Sequence, residues 1–419
     1  VKIAIVGSGV SGLVCAHQLA PRHDVVLLEA DDRIGGHVHT VDVAGPGCPV
    51  GVDTGFIVFN TRTYPSFTRL LRRLDVPWQE SEMSFSVRSE RRDLEYAGAG
   101  LNALFAQRRN LVSPRFLRMV LDLFRFYREA RGLLEAGPEV ELLDWLRARR
   151  FSDAFVADHL LPMVGAVWSS SRAGAHAFPA RFMARFLENH GLLAVEGRPT
   201  WLTVRGGSRA YVRAILDGLR AEVRTSCAVA SIRREDRAVV LRPRGAAPER
   251  FDHVILACHA DQALALLEDP SPQELEALSA FPYRDNDVLL HHDERVMPRR
   301  RLAWSSWNYH LDDETERGAT VSYWMNRLQR LPGARQYFVT LNRPGAVADG
   351  LVLRRLRYQH PVFTAAGVAA QAGHASLVDH RRTSYCGAYW GNGFHEDGVA
   401  SAERVCRRLG ALSGLEEAA

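Results

Sequence analysis

Lysine is nearly missing from this chain of 419 residues. Of its 53 basic residues only Lys2 is not arginine, a bias that reflects a GC-rich genome, and no catalytic step can call on a lysine from the body of the chain. Cysteine is sparse too. Cys15, Cys48, Cys227, Cys258, Cys386 and Cys406 lie far apart with no Cys-x-x-Cys pair, which argues against a zinc site and a disulfide framework and suits a reducing cytosol. No uninterrupted run of about eighteen apolar residues exists, so no segment reads as a membrane span. Internal repeats, low-complexity tracts and flexible linkers are also absent. The apolar amino end with Leu13-Val14-Cys15-Ala16 has the look of a secretion signal, but the glycine spacing around it argues otherwise.

What is present is a globular composition. With 47% apolar residues, a chain of this length suggests two intertwined domains around ample core. The formal charge of +5 is spread along the chain without a stripe, so nucleic acid is not an expected partner. One stretch stands out: Ser113 to Leu134 sets Phe116, Leu117, Val120, Leu121, Phe124 and Tyr127 at helical spacing among five arginines, with Pro114 suited to the first turn. Such a helix is suited either to packing its apolar stripe on the substrate domain or to lying on anionic lipid.

The strongest signal is Gly7-Ser8-Gly9-Val10-Ser11-Gly12. It joins an apolar run, Val1 to Val6, with the length of a buried parallel strand to Leu13–Ala20, which reads as a helix entered through the glycines. Gly7 permits the tight turn, Gly9 lets the backbone approach a pyrophosphate, and Gly12 lets helix and strand pack closely. Val25 to Leu28 supplies the next strand. Glu29, twenty residues after Gly9, is placed to accept hydrogen bonds from a ribose diol and disfavours a 2′-phosphate, so FAD or NAD fits better than NADP.

The nucleotide domain returns twice. Trp201 to Val204 precedes Gly206-Gly207-Ser208 and a helix through Leu219; Glu222–Arg224, Val229–Arg233, Ala238–Arg242 and Phe251–Cys258 then read as strands. The last return is a strand over Thr383–Trp390, the turn Gly391-Asn392-Gly393-Phe394-His395-Glu396-Asp397-Gly398 and a helix over Val399–Leu409. Two inserted blocks, the second with strand-like runs Val288–His292 and Gln336–Asn342, would build a substrate domain.

These motifs, with the Gly35-Gly36 doublet and the Asp53-Thr54-Gly55 turn, resemble the FAD-dependent amine oxidase superfamily. Gly51 through Asn60, Met297 through Arg301, Ser306 through Tyr309 and Gly387 through Gly398 are similar to a bacterial subgroup of FAD-dependent oxidoreductases associated with cyclopropane-synthase-like methyltransferases and modified fatty acids. The resemblance implies an α/β fold: a Rossmann-like FAD-binding domain, residues 1–79, 196–265 and 365–419, interleaved with a mixed α+β substrate domain, 80–195 and 266–364. FAD contacts are then expected from Gly7, Gly9, Val10, Ser11, Gly12, Glu29, Ala30, Gly35, Gly36, His37, Thr54, Gly55, Phe56, Val229, Trp390, Gly391, Phe394, Glu396, Asp397, Gly398 and Val399. Cys386 lies apart from the usual cysteinyl-flavin position, which favours dissociable FAD. Many members place a lysine-held water against flavin N5; Lys2 sits too early in the chain for that, which demotes ordinary amine oxidation.

Flavin chemistry needs a substrate C–H within reach of N5 in a dry pocket, with a base for an accompanying proton in some reactions. Trp168, Trp304, Trp307, Tyr323 and Trp324 are expected to wall the substrate, with Arg301 of the Arg299-Arg300-Arg301 group receiving a carboxylate or phospholipid headgroup. Acid–base candidates are His395, which titrates near neutrality, Tyr309 and Glu396; Glu396 and Asp397 alternatively cap the terminal helix. His37-x-His39, just after the glycine doublet, is expected at the pyrophosphate or flavin, and His291-His292-Asp293-Glu294, with no spaced third ligand, reads as a solvated strand end, so no metal is expected. The expected activity is hydride removal from a lipid-like substrate in the cytoplasm, with peripheral contact to the inner membrane face or with a neighbouring methyltransferase as further expectations. Amine or amino-acid oxidation, redox-neutral double-bond isomerisation and a flavin-binding scaffold are the alternatives.

Overall fold

The glycine fingerprint folds as its spacing requires. In the computed structural model, which describes residues 1–45, 47–135, 139–168, 178–194, 197–311 and 319–412, β1 (Lys2–Val6) leads through Gly7 into α1 (Val10–Leu19) and then β2 (Asp24–Leu28). Gly7 has φ +101°, and a Cβ there would lie 2.8 Å from the carbonyl oxygen of Ala257, so both backbone freedom and space demand glycine. A Cβ on Gly12 would fall 1.9 Å from the Gly7 carbonyl oxygen, which is the close helix–strand approach that the third glycine allows.

β1 is central in a five-stranded parallel sheet whose order is Thr383–Tyr385, His253–Leu256, β1, β2, Glu222–Arg224. Its three central strands, β1, β2 and His253–Leu256, read as apolar runs because both faces are covered, one by α1 and the terminal helix and the other by residues within 229–251 and 260–278. A three-stranded antiparallel sheet, Val229–Arg234, Val239–Pro243 and Glu249–Phe251, lies beside it in sequence. The second large sheet has seven strands in the order Val352–Pro361, Tyr283–His291, Phe338–Leu341, Val321–Trp324, Trp307–His310, Phe85–Ser89, Leu94–Ala97. All its pairs are antiparallel except Trp307–His310 with Phe85–Ser89.

Three local readings change. The strand expected over Thr383–Trp390 stops at Tyr385, and residues Ala388–Trp390 form a 3-10 turn. The terminal helix starts at His395, four residues before Val399, and takes the end of the glycine motif into its first turn. Third, the basic helix, Pro114–Glu129, with Ser113 as its cap, buries Phe116, Met119 and Phe126 against the helical block. Leu117, Leu121 and Phe124 of the expected packing stripe stay exposed. The buried face is set by Phe126 packing on Phe151 and Phe155 and by buried Asp122, which accepts from the Ser152 N–H.

Three segments distant in sequence are pinned together at Asp53, the last residue of the strand Val50–Asp53. Its fully buried carboxylate accepts from Thr40 Oγ1, from Ser208 N–H and Oγ, and from Gln329 Nε2 at 2.9 Å, while its own N–H donates to Gln329 Oε1. Burial nevertheless pushes the carboxyl up to about 6. We expect Asp53→Asn to turn one acceptor into a donor facing other donors and to lower unfolding free energy by about 1–3 kcal/mol. Denaturant titration checks this, and an unchanged midpoint would contradict the pinning role.

Candidate active site

Four parallel strands point their carboxyl ends at one cavity of about 1620 Å³. Val6 and Gly7 follow β1, Glu29 to Asp31 follow β2, Ala257 and Cys258 follow His253–Leu256, and Gly387 lies just beyond Thr383–Tyr385; all line it. That is the edge at which open α/β sheets take ligands. Opposite stand Phe85, Val288, Trp307, Tyr323 and Leu341 from the seven-stranded sheet, and Met163, Val167, Trp168 and Phe186 from the helical block. The volume exceeds the roughly 300–1,000 Å³ of a pocket for one small ligand, leaving room for an extended cofactor and a substrate.

At the end of the cavity beside α1, the residues present could hold a diphosphate and a ribose. No side chain caps the amino end of α1 and no acid occupies its first turn, so its free N–H groups face an anion site. A Cβ on Gly9 would meet no protein atom within 4 Å, so the space above that residue belongs to the cavity. Glu29 accepts from Ser8 N–H (2.9 Å), Ser8 Oγ and Asp31 N–H (3.0 Å), which fixes the carboxylate at the cavity wall with acceptor capacity to spare. Arg33 donates to the carbonyls of Gly36 and Val38 and holds the doublet loop over Gly9. His37 Nε2 is buried without a hydrogen-bond partner, an unmet need that a bound group would satisfy. Burial pushes His37 and His259 down to about 4 and His360 to about 3, so this wall is neutral at pH 7.

The expected contacts separate into two groups. Gly7, Gly9, Val10, Ser11, Glu29, Ala30, Gly36, His37, Thr54, Gly55, Phe56, Val229 and Phe394 line the cavity, as do Trp168, Trp307, Tyr323 and His395. Gly12, Gly35, Gly398 and Val399 lie behind it: the Gly398 carbonyl accepts from Ser11 Oγ, which ties the terminal helix to α1.

Several assignments need correction. Trp390 turns away from the cavity, stacks on His374 at 4.4 Å and meets Phe281 edge-on, because the 3-10 turn reverses the chain before it. Gly391 is packed against Asp397, whose carboxylate accepts from the Phe394 N–H and braces the turn. Glu396 is neither base nor cofactor contact: its two oxygens accept from the Ser66 and Phe67 N–H groups and cap α2 (Pro65–Arg73). Tyr309 is buried in the core of the substrate sheet, off the cavity. Trp304 and Trp324 pack edge-on in a separate small core, with Trp304 Nε1 donating to the Pro298 carbonyl and Trp324 Nε1 to Gln336. Arg301 lies over the Trp304 ring and pairs with Glu294, so it does not face a substrate. His395 does reach the cavity, but it stacks on Phe56 at 3.5 Å, meets Tyr211 OH at 3.0 Å, and burial holds it well below the usual imidazole range. It is a fixed neutral ring, not a group titrating near neutrality.

Met83, Phe85, Leu104, Leu123, Tyr127, Met163 and Phe186 also line the cavity. As apolar residues they carried no signal in the sequence beyond that of core. Cys386 is buried with its Sγ 3.8 Å from that of Cys15, outside the cavity wall. Lys2 lies at the opposite end of β1, over Phe251 and beside Glu249. Among the described residues no helix is long and apolar enough to cross a membrane.

Residues 10–327 match the flavin containing amine oxidoreductase family. Among relatives, the flavin-dependent L-tryptophan oxidase RebO of Lentzea aerocolonigenes is 28% identical over 284 residues, 61% of this chain and 57% of that protein, so the match spans less than two thirds of the relative. The fold superimposes on cyclohexylamine oxidase from Brevibacterium oxydans IH-35A with a TM-score of 0.70 and 15% identity, covering 99% of this chain and 100% of that one. A fatty acid isomerase from P. acnes, described as producing CLA, superimposes with a TM-score of 0.64 and 16% identity over 97% and 98% of the two chains.

Two variants test the nucleotide end. Glu29→Ala removes the acceptor that both orders Ser8 and faces the ribose, and we expect flavin to be retained about tenfold or more weakly. Gly9→Val fills the space above the α1 amino end and should yield colourless protein. Absorbance of the purified variants measures both, and full flavin occupancy in either would contradict the assignment of that residue.

Proposed function

Because the chain belongs to the flavin containing amine oxidoreductase family and is an FAD-dependent oxidoreductase, we propose that it removes hydride from a carbon of an elongated, hydrophobic, lipid-like substrate. Bound FAD supplies the two-electron acceptor at its N5. The reading rests on the polarity of the cavity beyond the nucleotide end. The lining of that lobe is mostly apolar, with Phe85, Leu104, Leu123, Met163, Val167, Trp307 and Tyr323 beside the polar Ser81, Ser84, His159 and Arg198. The carboxylates among the described lining residues are Glu29 and Asp31 at the ribose end, and Asp285, half exposed and bound to Gln359 and Arg357.

An ammonium group brings donors only and needs acceptors or ring faces around it. Here Trp307 and Tyr323 meet edge-to-face at 87° and do not form a parallel cage. Trp307 Nε1 is moreover a buried donor without a partner. A lone donor in a mostly apolar lobe complements an acyl carbonyl, and the surrounding side chains exclude the water that would compete for it. His395, fixed by Phe56 and Tyr211, would orient whatever lies against it without changing its charge.

Amine or amino-acid oxidation is the second reading. It is favoured by the tryptophan oxidase among the relatives and by the amine oxidase fold. Redox-neutral movement of a double bond is a third, suggested by the fatty acid isomerase of like fold.

Anaerobic titration of the flavoprotein separates the three. With phospholipid-bound unsaturated acyl chains we expect the flavin band to bleach and the product to lose two hydrogens. Bleaching by amines alone would overturn the proposal in favour of the second reading, and an acyl product of unchanged mass would favour the third. Trp307→Phe keeps the ring volume but removes the donor, so KM for the acyl substrate should rise by about tenfold with kcat little changed. Because burial keeps His395 neutral, the kcat profile between about pH 5.5 and 7.5 should contain no ionisation that His395→Asn removes. Loss of such a limb in the variant would restore His395 as a titrating base.

A further inference from the structure

Twelve large hydrophobic side chains are exposed on the described surface, and six of them fall within residues 101–124: Leu101, Leu111, Val112, Leu117, Leu121 and Phe124. The other six are scattered from Val1 to Leu353. The clustered ones are well out of the protein, with Leu101 at 76%, Val112 at 80%, Leu121 at 66% and Phe124 at 55% exposure. Leu117, Leu121 and Phe124 recur at helical spacing and lie along the outer side of the basic helix, opposite buried Phe116, Met119 and Phe126. So many exposed apolar side chains within twenty-four residues, with arginines among them, suit an interaction surface.

Charge is concentrated in the same stretch. Residues 101–131 hold seven arginines against two acids, Asp122 and Glu129, a net charge of +5 that equals the formal charge of the entire chain. Arg109, Arg115 and Arg118 are held by Asp93, Asp158 and Asp122, yet each side chain stays more than half exposed. Leu101 and Phe124 are both exposed and part of the cavity wall, so the patch extends to the cavity.

We propose that this face docks on an anionic lipid bilayer, with the six apolar side chains inserted at the headgroup boundary and the arginines at phosphate level. Apolar side chains ringed by guanidinium groups match that boundary, where acyl chains lie directly beneath anionic headgroups. A second copy of the chain fits less well, because a symmetric contact would set the same arginines against each other. Docking stands on the surface alone; that an acyl chain then enters the cavity rests on the function proposed above.

The test uses FAD-loaded full chain and sedimentation with vesicles of phosphatidylcholine, with or without about one third phosphatidylglycerol. We expect binding to the anionic vesicles, weakened by salt. The double variant Val112→Glu/Leu121→Glu, at two positions outside the cavity wall, should bind about tenfold or more weakly at unchanged melting temperature and flavin content. No binding of the wild type to anionic vesicles, or equal binding by the double variant, would overturn the proposal. So would concentration-dependent self-association that the double variant abolishes without any vesicle binding. Vesicle binding without flavin reduction by acyl chains would leave the docking face standing and remove the substrate reading.

Discussion

The buried carboxylate of Asp53 is the constraint from which the geometry of the cavity follows. It collects donors from Thr40, Ser208 and Gln329, three segments that belong to a hairpin, to the glycine turn before the helix Arg209–Asp217, and to the turn after the short helix Met325–Leu328. A low-dielectric site with several donors and one charge tolerates few arrangements, since moving any partner leaves a buried group unpaired. Gly207, at φ +94°, completes the arrangement: a Cβ there would press on Thr40 at 2.6 Å and lie 3.2 Å from Asp53 Oδ1. The residues that follow Asp53 directly, Thr54, Gly55 and Phe56, are the cavity wall. Phe56 in turn stacks on His395, so the same pin positions the carboxyl-terminal motif.

Parts of the site governed by local backbone rules were legible in the sequence. The turn at Gly7, the packing at Gly12 and the acid at Glu29 depend on neighbours a few residues away or on one parallel pairing, and their spacing carries that information. Side chains whose direction depends on distant partners were not legible. Trp390 and Phe394 both flank carboxyl-terminal glycines, yet a 3-10 turn sends one onto His374 and leaves the other stacked on Phe186. Glu396 has the look of an acid serving its own helix, but the amino end it caps belongs to α2, 330 residues earlier. Trp304 and Trp307 are three residues apart, and only Trp307 faces the cavity; Trp304 is held away by the Pro298 carbonyl. The cysteines show the same limit from the other side, since separation in sequence concealed the meeting of Cys15 and Cys386 in the core.

Across its length the cavity passes from anion-seeking to apolar. At one end the free amino end of α1 and the Glu29 carboxylate suit charge and diol; at the other, ring and aliphatic surface predominates. Between them the imidazoles of His37, His259 and His360 lie within stacking distance of one another or of tyrosine, with their charge suppressed by burial. Such a wall supplies hydrogen-bonding groups that carry no charge of their own at neutral pH.

The parallel sheet draws its strands from residues 2–6, 24–28, 222–224, 253–256 and 383–385. β1 and β2 are joined early, but β1 gains its other neighbour only when residues 253–256 have been made, and that neighbour gains its own from residues 383–385. Pairings of such separation are slow to form and leave strand edges open meanwhile. The strand ends that floor the cavity therefore come together only once residues 383–385 have been made. A cofactor that touches all of these strand ends would favour the assembled sheet over its open precursors by mass action.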